Sequence, residues 1–311
     1  MKKAVKIILA CLMAVSCFNI KTVNLKADEE TEEIELSTAE ELIEEAVEYY
    51  EFVQQCIDEG ALGFFRFMGS DKAVEVLENA PSTTDINGDY DATSLENMRY
   101  AIDIIRVCNE IRNRYGDFGN SYSLVINDTA MAMAQVQCNI SCYTMGHSRY
   151  YSANENLAWG YAYSNLSSYY GSAGPFDSWY YTEKGNYASG SGETGHFLAV
   201  TGSKTVSGAA VNQKGRFATV NQIFLYQSDS YDEGYYTVGE YIERFDNYCD
   251  TIDDELEKAR ENIELAWAVY DYVAHVKSVI TNKKKSEIIA EYILQSNNYS
   301  THLDEILDSD D

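Results

Sequence analysis

Apolar side chains fall at alternating intervals of four and three from Phe245 through Cys249, Ile252, Leu256, Ala259, Ile263, Ala266 and Tyr270 to Val273. A seam over four heptads requires one continuous helix, since only a repeat near 3.5 residues holds those positions on one side. Neither of the two prolines, Pro81 and Pro175, interrupts it. The seam is buried in one of two ways. It packs on a helix of the same chain, such as the segment near Ile288–Leu294, or it forms a coiled-coil homodimer through residues 245–273. Packing within the chain is the preferred reading.

The first residues direct the chain elsewhere. Lys2, Lys3 and Lys6 precede an apolar run from Ile8 to Val15, and Lys26-Ala27 stands directly before an acidic stretch opening at Asp28. A basic start, a short apolar core and a small residue at the cleavage point describe a secretory signal peptide over residues 1–27. The run is too short to span a bilayer, which takes about 20 apolar residues. A rival reading makes Cys17, within Val15-Ser16-Cys17, a lipidated residue and the protein lipid-anchored. No later stretch is apolar enough for a transmembrane segment. The expected compartment is extracellular.

Removing residues 1–27 takes away five lysines and no acidic residue, lowering the net charge from −27 to −32. Such a surface repels nucleic acid and anionic membrane, and it concentrates divalent cations around the protein. Five cysteines remain, Cys56, Cys108, Cys138, Cys142 and Cys249. They are sparse, odd in number and embedded in helical patterns, so they read as buried small hydrophobes rather than a disulfide framework. Asn127, Asn139, Asn165 and Asn298 head glycosylation-type sequons.

Three zones come after the leader. Residues 28–92 are acidic and helical. Ser37 with Glu40 reads as a capping box, and Ile43, Val47, Tyr50 and Ile57 recur at helical spacing. The glycine-flanked run Gly60–Gly69 is expected to tuck against the core, and Pro81–Asp91 reads as a linker. Residues 93–228 open with a second capping box, Thr93 and Glu96, on a helix that turns Met98, Ile102 and Ile105 inward. Another helix runs from Asp128 through Cys142. Short strands are then expected at Phe197–Val200, Ala209–Val211 and Ala218–Tyr226, giving an α+β layered domain. Residues 229–311 hold the heptad region.

The central zone also carries the chemistry. His147 lies in Gly-His-Ser, Glu155 in Glu-Asn-Leu-Ala-Trp-Gly, Glu183 in Trp-Tyr-Tyr-Thr-Glu-Lys and His196 in Thr-Gly-His-Phe-Leu-Ala-Val. Two His and two Glu within fifty residues hint at a metal site. The words around them, in that order and with Gly-Ala-Ala-Val after them, resemble the signature blocks of the CAP family, the SCP/TAPS or cysteine-rich secretory protein-like domains, in its bacterial secreted type. The segment Asn127–Gln137 is similar to the helix that precedes the first histidine in bacterial members. The resemblance covers roughly Thr93 to Tyr226. It implies an α-β-α sandwich, here with N- and C-terminal helical extensions, and places His147, Glu155, Glu183 and His196 around one cleft. Metal and lipid or sterol binding recur in that family, whereas catalysis is not a settled property of it.

Neutral imidazoles suit a zinc-like cation, and two of them leave coordination positions for water or a ligand. A glutamate beside each histidine accepts from its second ring nitrogen and fixes the tautomer. His147 and His196 are therefore the expected metal ligands, with Glu155 and Glu183 supporting them. The chain reads first as a secreted binding protein for a divalent cation and a small, lipidic or cell-surface ligand. The alternative is a metal-assisted hydrolase of peptide or cell-wall material with Glu155 or Glu183 as base. A third reading gives the work to the helical extensions as a surface interaction protein. Being an enzyme ranks below binding, and Ser148 beside His147 is a poor nucleophile candidate. The tyrosines from Tyr143 to Tyr187 are numerous enough to line a cleft wall or to bind glycans by stacking, and equally to cover an extracellular surface. Asp85 to Glu96 matches part of a calcium-binding EF-hand loop, but Tyr90 occupies the place of the required glycine, so an acidic turn is preferred. Cys138 and Cys142 share a helix face with Ala134 and read as core rather than as zinc ligands beside His147.

Overall fold

The computed structural model describes residues 36–115, 122–161, 174–214, 218–227 and 234–280. The expected leader with Cys17, the sequons at Asn165 and Asn298, and the segment near Ile288–Leu294 lie outside them. Two compact units separate by their contacts: Gln54–Asp253, and Met1–Val53 together with Asp254–Asp311. The larger unit thus takes in residues on both sides of the 93–228 segment. Helices α1 (Leu36–Asp58) and α8 (Val238–Ile280) each give residues to both units.

In the smaller unit, α1 buries Ala39, Leu42 and Val53, and α8 buries Ala259, Ala266 and Val273. Tyr49 Oη donates to Glu255 Oε2 at 3.5 Å between them. The inner stripe of α1 is offset from the expected one. Ile43, Val47, Tyr50 and Ile57 are half-buried flanks, while Ala39, Leu42, Val53 and Cys56 point inward. Ser37 falls inside the helix rather than at its cap. Along α8 every seventh position, Phe245, Ile252, Ala259, Ala266 and Val273, is buried within the single chain. The intervening Cys249, Leu256, Ile263 and Tyr270 are half-buried.

The larger unit is α+β, with eight helices among the described residues of the whole chain and a four-stranded mixed sheet. Its remaining elements are α2 (Ala61–Phe67), α3 (Asp71–Glu78), α4 (Leu95–Tyr115), β1 (Val125–Ile126), α5 (Asp128–Thr144), β2 (Asn154–Tyr161), a π-helical turn (Asp177–Thr182), α6 (Glu183–Ser189), α7 (Gly195–Val200), β3 (Val206–Asn212) and β4 (Ala218–Leu225). The strand order is β1-β3-β4-β2. β1 runs parallel to β3, and the other pairs are antiparallel. Every residue of β3 and β4 is buried, which explains why neither keeps an alternation of apolar and polar residues along its length.

Helices cover both faces of this sheet. On one, α5 lies against Gly208 and a cluster of Ala130, Met133, Ala134, Cys138, Val206, Ala210 and Ile223. On the other, Arg112 of α4 sits over the Phe224 ring at 5.8 Å, and Phe224 alternates with Ile223 along β4. Arg112 is buried and donates to the carbonyls of Val200, Lys204, Tyr122 and Ala199. Burial lowers its pKa from the usual arginine value. It thereby satisfies the carbonyls at the end of α7.

Two local expectations are corrected. Phe197–Val200 is helical, the body of α7, because four apolar residues do not distinguish a strand from a short buried helix. The cap of α4 is Ser94, whose Oγ accepts from Asn97 N at 3.3 Å. Thr93 Oγ1 is taken by Asp91 instead. The run Gly60–Gly69 does tuck inward: α2 buries Ala61, Leu62, Gly63, Phe64 and Phe65.

A candidate His–Glu cleft

Helix α5 is fixed at both ends. The side chain of Asn127 accepts from Ala130 N, and Met145 closes the helix in the left-handed region at φ 51°. Arg149 adopts the same region at φ 52°. These two bends enclose His147 in a tight turn that leads Tyr150 and Tyr151 back toward β2. Gln137 of α5 holds that turn, its Oε1 accepting from Tyr151 N at 2.9 Å.

Glu155, the second residue of β2, meets the turn from the sheet. Its Oε2 lies 2.5 Å from His147 Nδ1. Its Oε1 accepts from Gln137 Nε2 at 3.1 Å and from Asn221 Nδ2 of β4. The carboxylate side chain is 7% exposed and the imidazole 46%.

The second pair has the same design. Glu183 begins α6 directly after the π-helical turn, a geometry that adds a residue to the helical repeat and re-aims the side chains beyond it. Its Oε1 lies 2.5 Å from His196 Nδ1, and its Oε2 accepts from Phe197 N at 2.9 Å. The imidazole of His196 stacks on buried Trp179, centroids 6.2 Å apart and planes 24° apart. Trp179 is held in turn by donating its indole N–H to Leu157 O at 3.3 Å. Asn156 Nδ2 donates to His196 O at 3.2 Å.

Both histidines, with Glu155, line one cleft of about 1080 Å³ at the outer edge of β2, while Glu183 stands buried behind His196. All four expected residues are thus brought together as two pairs. In each pair Nδ1 is committed to a carboxylate, which leaves Nε2 as the ring nitrogen for a ligand. Each carboxylate has its other oxygen occupied by N–H donors, so neither is poised to take a proton from water. Among the described residues no three His, Cys, Asp or Glu side chains converge as a metal site. A cation bound in this cleft would have the two imidazoles as its protein ligands, a donor set that fits a zinc-like ion with water or ligand completing its shell.

Other candidates are not part of this site. Cys138 is buried, and its thiol donates to Thr219 O at 3.5 Å away from the cleft. Burial pushes its pKa well above the usual thiol value, and that of Cys56 to about 11. Ser148 Oγ accepts from Tyr150 N at 3.3 Å, a turn contact rather than a nucleophile's. In the Asp85–Glu96 loop, buried Asp91 accepts from Thr93 N, Thr93 Oγ1, Asn139 Nδ2 and Asp85 N. Asp85 pairs with Lys214 Nζ at 2.8 Å. Asp85 and Asp91 are thereby spent on protein groups, and the segment serves as a polar anchor for the start of α4. The sequon residues Asn127 and Asn139 are fully buried and hydrogen-bonded, which closes them to glycan attachment.

Asn156 and Trp179 stand inside the quoted words without a role assigned to them, and Gln137 and Asn221 escaped the sequence reading. The one visible signal of the latter two is polarity in the wrong place: Gln137 within the apolar run of α5, and Asn221-Gln222 inside a strand that otherwise reads as core. Compared with family models, with curated proteins and with solved structures, the chain matches none.

Proposed function

We propose that this chain is a secreted binding protein of the CAP type. In this reading the larger unit is an α-β-α sandwich, the helical residues outside it are extensions, and the cleft holds a divalent cation and a small or lipidic ligand. The carrying observation is the paired design across one cleft, each imidazole fixed through Nδ1 by a buried, fully hydrogen-bonded carboxylate. That arrangement sets the tautomer and raises the basicity of Nε2, as carboxylate–histidine–metal groupings require. Two protein ligands make the bound ion exchangeable, and the acidic surface draws cations toward it. Helices on both faces of the sheet support the sandwich. Among the described residues no helix is long and apolar enough to cross a membrane. Export by the 1–27 leader, or anchoring through Cys17, completes the proposal.

Binding is favoured over hydrolysis because both glutamates are held by donors on both oxygens. Calorimetry with zinc tests the cation. The unaltered protein is expected to bind, and His147→Ala with His196→Ala to lose that binding. Glu155→Gln is expected to weaken it by about 10- to 100-fold through the lost partner of His147. Unchanged zinc binding in the double histidine variant would show that the cation sits elsewhere or nowhere.

A further inference from the structure

The composition of the cleft wall narrows the ligand, on the reading that this cleft is the binding site. Among its described residues the wall carries no Leu, Ile, Val, Met or Phe. Its aliphatic contribution is Ala153 and Ala199. An acyl chain or a sterol needs an apolar lining to replace the water it leaves, and polar groups facing it would be stranded without partners. What the wall does offer is two aromatic rings and a set of short polar groups. Tyr150 and Tyr151 stand edge to face with centroids 4.9 Å apart, and Tyr150 is half exposed. Ser152, Asn154, Glu193 and Thr194 line the same space, and their side chains bond to no other described residue. Arg149 adds a cationic donor without a carboxylate partner among the described residues.

The geometry points to a saccharide chain as the ligand of this cleft. Sugar rings present an apolar C–H face to an aromatic ring and a rim of hydroxyls that both donate and accept. Tyrosine rings next to amide, carboxylate and hydroxyl side chains match both features at once. The volume of about 1080 Å³ stands at the top of the range of about 300–1000 Å³ usual for small-molecule sites, which suits several linked rings rather than one. A peptide added to the sheet fits less well. β2 is an edge strand, but its carbonyl at Leu157 already accepts from the Trp179 indole, so an added strand meets an occupied acceptor and the indole at mid-strand.

The test presents the full chain to an array of neutral and acidic oligosaccharides, then measures the strongest binder by calorimetry beside palmitate and tetra-alanine. A saccharide is expected to bind, and Tyr150→Ala with Tyr151→Ala to weaken it about tenfold or more while zinc binding stays intact. Asn154→Ala, at an exposed position, gives a second loss independent of the aromatic pair. Three results would overturn the inference: no oligosaccharide bound at millimolar concentration, saccharide binding indifferent to both variants, or palmitate or tetra-alanine as the sole ligand. Saccharide binding by a protein that does not bind zinc would leave the inference standing and remove the cation from the proposed function.

Discussion

Asp128→Ala is expected to destabilise the larger unit by about 3–5 kcal/mol, measured as a lowered urea midpoint at unchanged slope. Asp128 is 1% exposed at the first position of α5. One oxygen accepts from Tyr241 Oη at 2.7 Å and Arg244 Nη1 at 2.9 Å. The other accepts from Arg244 Nη2 at 2.8 Å and from Ser70 Oγ. The guanidinium is enclosed by the Phe64 and Tyr236 rings at 5.0 and 4.7 Å. Removing the carboxylate strands a largely buried cation and two hydroxyls, and it also takes a negative charge from the first turn of a helix. Replacing both partners, Asp128→Leu with Arg244→Met, is expected to recover much of the loss, because the cost lies in the unpaired charge more than in the missing attraction. A double variant no better than the single one would mean that the pair holds α5 and α8 together by geometry that apolar packing does not replace.

Gly208→Ala should cost about 3 kcal/mol, at the upper end of overpacking effects. A methyl group at Gly208 would stand 2.0 Å from Ala130 O and 2.2 Å from Ala130 C. Both are backbone atoms of α5, so no side chain can rotate away. Either the helix lifts off β3 or the strand shifts, and both disturb the cluster of Met133, Val206 and Ile223. The check is thermal unfolding alongside Gly185→Ala, where an added methyl meets nothing within 4 Å. Equal melting temperatures for the two variants would contradict the close approach of α5 to β3.

These two positions show what the sequence made visible and what it hid. The inward residues of α4 and the seam of α8 were legible because burial repeats at a fixed period in each, and the two central strands because they form short runs buried throughout. β2 was not. Its Glu155 and Asn156 are polar on both sides of the strand, since one reaches His147 and the other supports His196, so the site erased the alternation that marks a strand. The stripe of α1 was misplaced by hydrophobicity alone, because small Ala39 and Cys56 point inward while larger Ile43 and Ile57 lie on the flank. The four site residues stood out through the words around them. Gln137 and Asn221, which saturate Glu155, did not, because a hydrogen bond between distant elements leaves no trace in spacing.

X-ray absorption at the zinc edge tests the cation site most directly, since it counts ligands by type in the loaded full-length protein. The expected spectrum shows two imidazole nitrogens at about 2.0–2.1 Å with oxygen completing the shell, and this signal vanishes in His147→Ala with His196→Ala. Sulfur ligation at about 2.3 Å, or the same spectrum in the double variant, would contradict a cation held between His147 and His196.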